Sequence, residues 1–238
     1  VVIPGALEHF EEHVFTLKNR QGEAGAILCG LPFLRPRDVV LSESGESSID
    51  KQRKLGDAIS ELYQRCFEQA EQLNNTFTTP VPIIATGHLT TVGASTSESV
   101  RDIYIGSLDA FNAALFPAAD YIALGHIHRP QVVAKSEHIR YSGSPIALSF
   151  DELAADNTTN KSVFLVEFSD AKLSQITPLM VPVFQQMQVL KGDLDSIEQQ
   201  ISTFALQAES AKTTWLSIEV SQQDYLSDLQ SRIADMTQ

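Results

Sequence analysis

Apolar positions recur at steps of three and four along Leu55, Ile59, Leu62, Cys66, Ala70 and Leu73, the period that keeps side chains on one helical face. Asn74-Asn75 and then Pro80 end the pattern, so it predicts one amphipathic helix. Upstream, the strand-like runs at residues 13–17 and 26–29 flank the polar Asn19-Arg20-Gln21-Gly22, which predicts a hairpin. Short apolar runs at residues 81–85 and 121–124 predict buried strands. Between them Ser107 is placed to cap a helix carrying Leu108, Phe111 and Leu115 and stopped by Pro117. Strand, helix and strand in alternation predict an α/β fold. Further strands are predicted at residues 139–142, 163–168 and 179–183, with Ser169-Asp170-Ala171-Lys172 as a turn and the polar stretch 151–160 as a surface loop.

After Pro182 the pattern restarts as a strand at 187–190, a helix along Leu194, Ile197, Ile201 and Phe204, a strand at 215–220 and a helix along Leu226, Leu229 and Ile233. This predicts a small α+β unit and a boundary that divides the chain into residues 1–182 and 183–238. The 238 residues are 43% hydrophobic and 20% charged, the balance of a globular chain with its own core. No apolar run approaches the roughly 20 residues of a spanning helix, so no membrane partner is expected. Lys and Arg total 17 against 30 Asp and Glu, a net charge of −13, the wrong sign for gripping a polyanion by charge alone. Cys29 and Cys66 lack Cys-x-x-Cys spacing and read as reduced packing residues of a cytoplasmic protein.

Three of the six histidines share a setting. His88 follows a strand and Gly87, and His126 and His128 follow a strand and Gly125. Residues i and i+2 of a strand project to the same face, so His126 and His128 could both present imidazoles to one site, as paired metal ions require. The glycines would let the backbone turn sharply and approach an ion or phosphate closely. The alternative is three separate histidines holding structural hydrogen bonds, which the repeated Gly-His ending makes the weaker reading. His9, His13 and His138 lack this setting and read as surface or hairpin residues. Ser142-Gly143-Ser144-Pro145 is either a phosphate-approaching turn or simply a turn.

Gly125-His126-Ile127-His128 after an apolar strand, with Gly87-His88 upstream, resembles the last two metal-binding motifs of the calcineurin-like metallophosphoesterases. The runs at residues 31–38, 85–95, 101–106 and 141–152 narrow the resemblance to the SbcD family of nuclease subunits. It implies a β-sandwich flanked by helices, present here incompletely, followed by a small α+β capping domain. It further implies a phosphodiesterase with two divalent ions, Mn²⁺ foremost, in which His88 and His126 serve one ion and His128 the other. The activity implied is 3′–5′ exonuclease and hairpin endonuclease action on DNA in repair, recombination and replication. The implied partners are an SbcC-type ATPase subunit, double-stranded DNA ends and hairpins, and a second copy in a homodimer within a heterotetramer. Arg129, Ser142, Gly143 and Ser144 are candidate substrate contacts, and Arg35, Arg37, Arg101 and Arg129 could line a groove or form ion pairs.

The family's Asp-x-His, Gly-Asp-x-x-Asp and Gly-Asn-His-Asp motifs do not occur in this sequence. The expectation is therefore a chain carrying only the histidine half of a metal site, lacking both the motifs that precede it and the extreme C-terminus, and inactive alone. Two other readings stay open: another calcineurin-like phosphoesterase, and a catalytically incomplete interaction module.

Overall fold

Helix α2, Ser48–Asn74, begins where Ser47 turns its hydroxyl onto the Asp50 amide, satisfying an amide the first helical turn leaves unpaired. Its buried face is Leu55, Gly56, Ile59, Tyr63, Cys66 and Ala70, close to the predicted stripe, with Tyr63 buried deeper than the half-buried Leu62. The computed structural model describes residues 10–40, 45–92, 110–207, 213–221 and 228–237.

Strands β1 (Val14–Lys18) and β2 (Ala24–Gly30) form the predicted hairpin, with Val14 opposite Cys29. Its turn is organised by Asn19, whose Oδ1 accepts the amides of Gln21 and Glu23 at 3.0 Å each, while Gly22 takes φ +87°. Helix α1, Pro36–Val39, is one short turn. Strands β3 (Ile83–His88) and β4 (Tyr121–Gly125) follow, then β5 (Gln131–Val133) and β6 (Ser136–Tyr141). They form a six-stranded sheet in the order β1-β2-β3-β4-β6-β5. The neighbours β2, β3, β4 and β6 run parallel, and the two edge strands run antiparallel to them. Helix α2 packs across β1, β2 and β3, and Ile27, Ile59 and Ile122 are fully buried in that layer. This is the predicted α/β layering.

Cys29 and Cys66 face each other across it, the Cys29 thiol 3.5 Å from the Cys66 carbonyl. Burial pushes both thiols up to about 12, so they remain protonated packing groups. His13, predicted at the surface or in the hairpin, is instead fully buried, with Nδ1 2.9 Å from the Gly30 carbonyl. The β1–β2 register carries it inward beside the last residue of β2.

The helix predicted between β3 and β4 is not formed in its described part. Residues 107 and 108 lie outside the described residues. Phe111 instead accepts from the Val92 amide and donates to the Thr90 carbonyl, so its backbone is committed to a bridge with Thr91. Only a 3₁₀ turn, Ala113–Leu115, follows, capped by Asn112. Strand β3 also starts later than predicted, at Ile83. Asn74 takes both backbone groups of Val81, accepting its amide at 3.0 Å and donating to its carbonyl at 2.9 Å. Asn74→Ala should therefore cost about 1–3 kcal/mol, two partly buried groups losing their partner. A denaturant midpoint equal to the parent's would sink this, and Asn74→Asp should fall between.

Strands β7 (Ser162–Ser169) and β8 (Lys172–Met180) pair as a hairpin. Its two-residue turn places Asp170 and Ala171 at φ +50° and +60°, the geometry matched to strand twist. Strand β8 lies before most of the strand predicted at 179–183.

The chain divides into two compact units, residues 1–145 with 161–181, and 146–160 with 182–238. Residues 146–160, placed in the first domain by the predicted boundary, cluster with the second. Within that unit Asn157 accepts the Val189 amide at 2.7 Å and reaches the Val189 carbonyl and Gln188, imitating an added strand beside β9. The second unit runs β9 (Met187–Gly192), α3 (Leu194–Gln207), β10 (Trp215–Val220) and α4 (Leu229–Met236). Strands β9 and β10 are parallel, and Asp193 caps α3 through the Ser196 amide at 2.8 Å. Leu226 lies outside the described residues. Among the described residues no helix is long and apolar enough to cross a membrane.

Candidate metal centre

In an open parallel sheet, ligand sites gather beyond the carboxyl ends of the strands. Strands β3 and β4 are neighbours in parallel register, with Gly87 opposite Leu124 and His88 opposite Gly125. His88 therefore ends one strand directly beside the glycine that ends the other, and His126 is the next residue. The two imidazoles stand with centroids 5.3 Å apart, tilted by 59°. Strand β4 stops at Gly125 and His126 takes φ +99°, so His126 and His128 do not share a strand face, contrary to the expectation from their spacing. A sharp turn, rather than strand alternation, swings His126 towards His88.

Glycine at both strand ends has a steric reason. A Cβ on Gly125 would lie 3.0 Å from His88 Nδ1, and one on Gly87 would lie 1.7 Å from the Tyr63 hydroxyl oxygen. Tyr63 is fully buried and donates to the Thr86 carbonyl at 3.4 Å, so it wedges beneath the residues leading to His88. On the far side Tyr141, also fully buried, donates to the Leu89 carbonyl at 2.7 Å and accepts the Thr91 amide at 3.0 Å. Phe33, partly exposed, meets His88 edge-on at 6.0 Å.

Burial, and secondarily the neighbouring His128, holds the His88 imidazole below its ordinary range, leaving it neutral at neutral pH, the form that binds metal. The pair also stands near the spacing of two ligands to one ion. A metal–nitrogen bond of about 2.1 Å plus a ring radius of about 1.1 Å puts two imidazole centroids about 4.5–5.2 Å apart for ligand angles of about 90–110°, against the 5.3 Å observed. The observed separation of His88 and His126 lies just beyond the upper end of that range. Among the described residues, no group of three or more His, Cys, Asp or Glu stands close enough to hold an ion.

The candidate turn Ser142-Gly143-Ser144 packs against the backbone of His128. The His128 carbonyl accepts the Ser144 amide at 3.2 Å and the Lys161 ammonium at 2.9 Å, and Lys161 also donates to Ser144 Oγ at 2.9 Å. Gly143, at φ +80°, would place a Cβ 2.7 Å from that carbonyl. Ser144 is buried, and the half-buried Ser142 lies 3.4 Å from the Gly143 carbonyl. Arg129 is half-buried, its carbonyl accepting from Gln131 at 3.3 Å. Arg35 pairs with Asp38 at 2.8 Å in the open, and the Arg37 side chain and Arg101 lie outside the described residues. Tyr63, Tyr141, Phe33 and Lys161 are contributors that sequence spacing does not mark, since each lies in a part of the chain remote from the histidine motifs.

Residues 183–238 match a family profile described as the type 5 capsule protein repressor C-terminal domain. The SbcD subunit of the SbcCD nuclease of Escherichia coli K12 is 51% identical over 222 residues, covering 93% of this chain and 54% of that protein. Over the residues it spans, the chain belongs to the SbcD family. The SbcD subunit of Rhodobacter capsulatus is 31% identical over 182 residues, 76% of this chain and 42% of the relative. That of Staphylococcus epidermidis is 29% identical over 174 residues, 73% and 43% respectively. The chain spans about half the length of the SbcD relatives it matches.

Proposed function

We propose that this chain contributes His88, His126 and His128 to the metal site of a DNA nuclease subunit of the SbcD type. The observation that supports it best is the neutral His88 facing His126 at 5.3 Å across two adjacent parallel strand ends, in a chain 51% identical to a nuclease subunit. His88 and His126 would hold one divalent ion, Mn²⁺ by preference, and His128 would face a second. When bound, such ions stabilise the charge that builds on a phosphodiester during hydrolysis. The protein's own part is to keep the His88 imidazole unprotonated through burial, and to fix the backbone on either side of it through the Tyr63 wedge and the Tyr141 clamp. The substrates of this reading are double-stranded DNA ends and hairpins, cut in repair, recombination and replication. The partner is an SbcC-type ATPase, with two nuclease subunits in one heterotetramer in the cytoplasm.

The net charge of −13 sets a condition on this reading, because such a surface repels DNA until divalent ions reverse the local sign. A second reading, an interaction module without its own metal chemistry, draws on the lack of a three-ligand group among the described residues.

The test is Mn²⁺ calorimetry and hairpin-DNA cleavage in the full-length protein with its ATPase partner, with His88, His126 and His128 each changed to Ala. Each change should weaken Mn²⁺ binding and lower cleavage by more than the about 10–100-fold typical of residues that only support a ligand. Unchanged Mn²⁺ affinity in all three variants would favour the interaction module instead.

A further inference from the structure

We propose that Lys161 is a positioning residue for His128, holding the backbone that aims this histidine at the metal site. The inference rests on the metal-site reading above.

A lysine is seldom buried, because its ammonium loses hydration that only close polar partners can replace. Lys161 is 5% exposed, so its surroundings must offer acceptors. Two of them are the His128 carbonyl and Ser144 Oγ, both at 2.9 Å. The Ser144 amide reaches the same carbonyl at 3.2 Å, so the His128 oxygen accepts from a cation and an amide together. A hydrogen bond from a charged donor is roughly twice as strong as a neutral one. With that carbonyl pinned, the peptide plane following His128 is held, and with it the backbone from which the His128 side chain projects.

The neighbouring sequence is built around this contact. Gly143, at φ +80°, brings the turn to where a Cβ would stand 2.7 Å from the His128 carbonyl and 2.9 Å from the Pro130 ring. Only glycine permits that approach. Lys161 is itself anchored, since its own carbonyl accepts the Val181 amide at 2.9 Å beside the start of β7. Gly143 and Ser144 therefore spend their inward groups on His128, and Lys161 ties the β7–β8 hairpin to the metal site. Phosphate recognition is not needed to explain why a glycine and a serine stand at positions 143 and 144.

The experiment compares Lys161→Met, which keeps the stem and removes the donors, with Lys161→Arg, which keeps a cationic donor, in the full-length protein. Two readouts are taken: Mn²⁺ affinity by electron paramagnetic resonance, and the His128 imidazole resonances of the metal-free protein by NMR. Lys161→Met should move or broaden the His128 resonances and weaken Mn²⁺ binding about 10–100-fold, and Lys161→Arg should recover part of both. Should Lys161→Met fail to fold, Ser144→Ala tests the same clamp and should give a smaller change in the same direction. His128 resonances unmoved in the Met variant, or in Ser144→Ala where that one replaces it, would overturn the proposal. A protein whose His128 resonances respond but which binds no Mn²⁺ would keep the positioning role and sink the metal reading instead.

Discussion

Gly87→Ala is expected to destabilise the protein by about 3 kcal/mol, the upper part of the usual range for overpacking, and to lower its melting temperature by about 6–12 °C. The added methyl would lie 1.7 Å from the Tyr63 hydroxyl oxygen, a separation no pair of unbonded atoms sustains. Tyr63 has little room to retreat, since its ring is fully buried and packs against Phe116 at 5.0 Å and Phe111 at 6.2 Å. Either the helix carrying Tyr63 moves away or the strand end carrying His88 does, and the second disturbs the candidate ligand directly. The cause is isolated by Tyr63→Phe. Removing the hydroxyl leaves the ring carbon at 3.0 Å from the new methyl, tight but open to small adjustment. Thermal unfolding of both single variants and the double should show a coupling of at least about 1 kcal/mol in the rescuing direction. Simple additivity would show that the clash is not what makes alanine costly.

How far the sequence carries this structure depends on where each element's backbone hydrogen bonds go. Helix α2 is legible because its cap, its apolar stripe and its stop all lie within its own residues. Strands β3 and β4 are legible as apolar runs, and their Gly-His endings mark the site. Strand β5 and its turn into β6 are not, because Ala134 and Lys135 take φ +49° and +59° without the Asn or Gly that normally announces such a turn. The segment around Phe111 misleads for a related reason. Its apolar spacing suits a helix, but its amide and carbonyl are claimed by Thr90 and Val92, partners from the segment that follows β3.

The candidate site divides in the same manner. His88 and His126 announce themselves by type and position. Their supports come from α2, β6 and the residue before β7, and no local pattern ties Tyr63, Tyr141 or Lys161 to a histidine. His13 shows the converse, since it is read as a surface or hairpin residue and the hairpin register decides between the two by burying it beside Gly30. In both directions the missing information is long-range, which side chain meets which backbone group across the sheet. That also explains why the residues marked by the motif and those that hold it in place are different sets.

Tyr141→Phe should be nearly as costly as Gly87→Ala, although it removes a single oxygen. That oxygen donates to the Leu89 carbonyl at 2.7 Å, accepts the Thr91 amide at 3.0 Å and lies 3.2 Å from Thr91 Oγ1. Leu89, Thr91 and Tyr141 are all buried, at 3%, 1% and 0% exposure, so water cannot take its place without opening the structure. Losing it strands a carbonyl and an amide at about 1–3 kcal/mol each, or about 2–4 kcal/mol after relaxation. The measurement is equilibrium denaturation together with hydrogen exchange at the Thr91 amide, which should lose its protection well before the core of β3 does. Thr91→Val is the control. It keeps the amide–tyrosine bond and the side-chain volume and removes only the 3.2 Å hydroxyl contact, so it should cost about 1 kcal/mol or less. A Tyr141→Phe protein as stable as its parent, with the Thr91 amide still protected, would mean that the tyrosine hydroxyl does not hold the segment after His88. The rigidity of that candidate ligand would then have to come from the Tyr63 side alone.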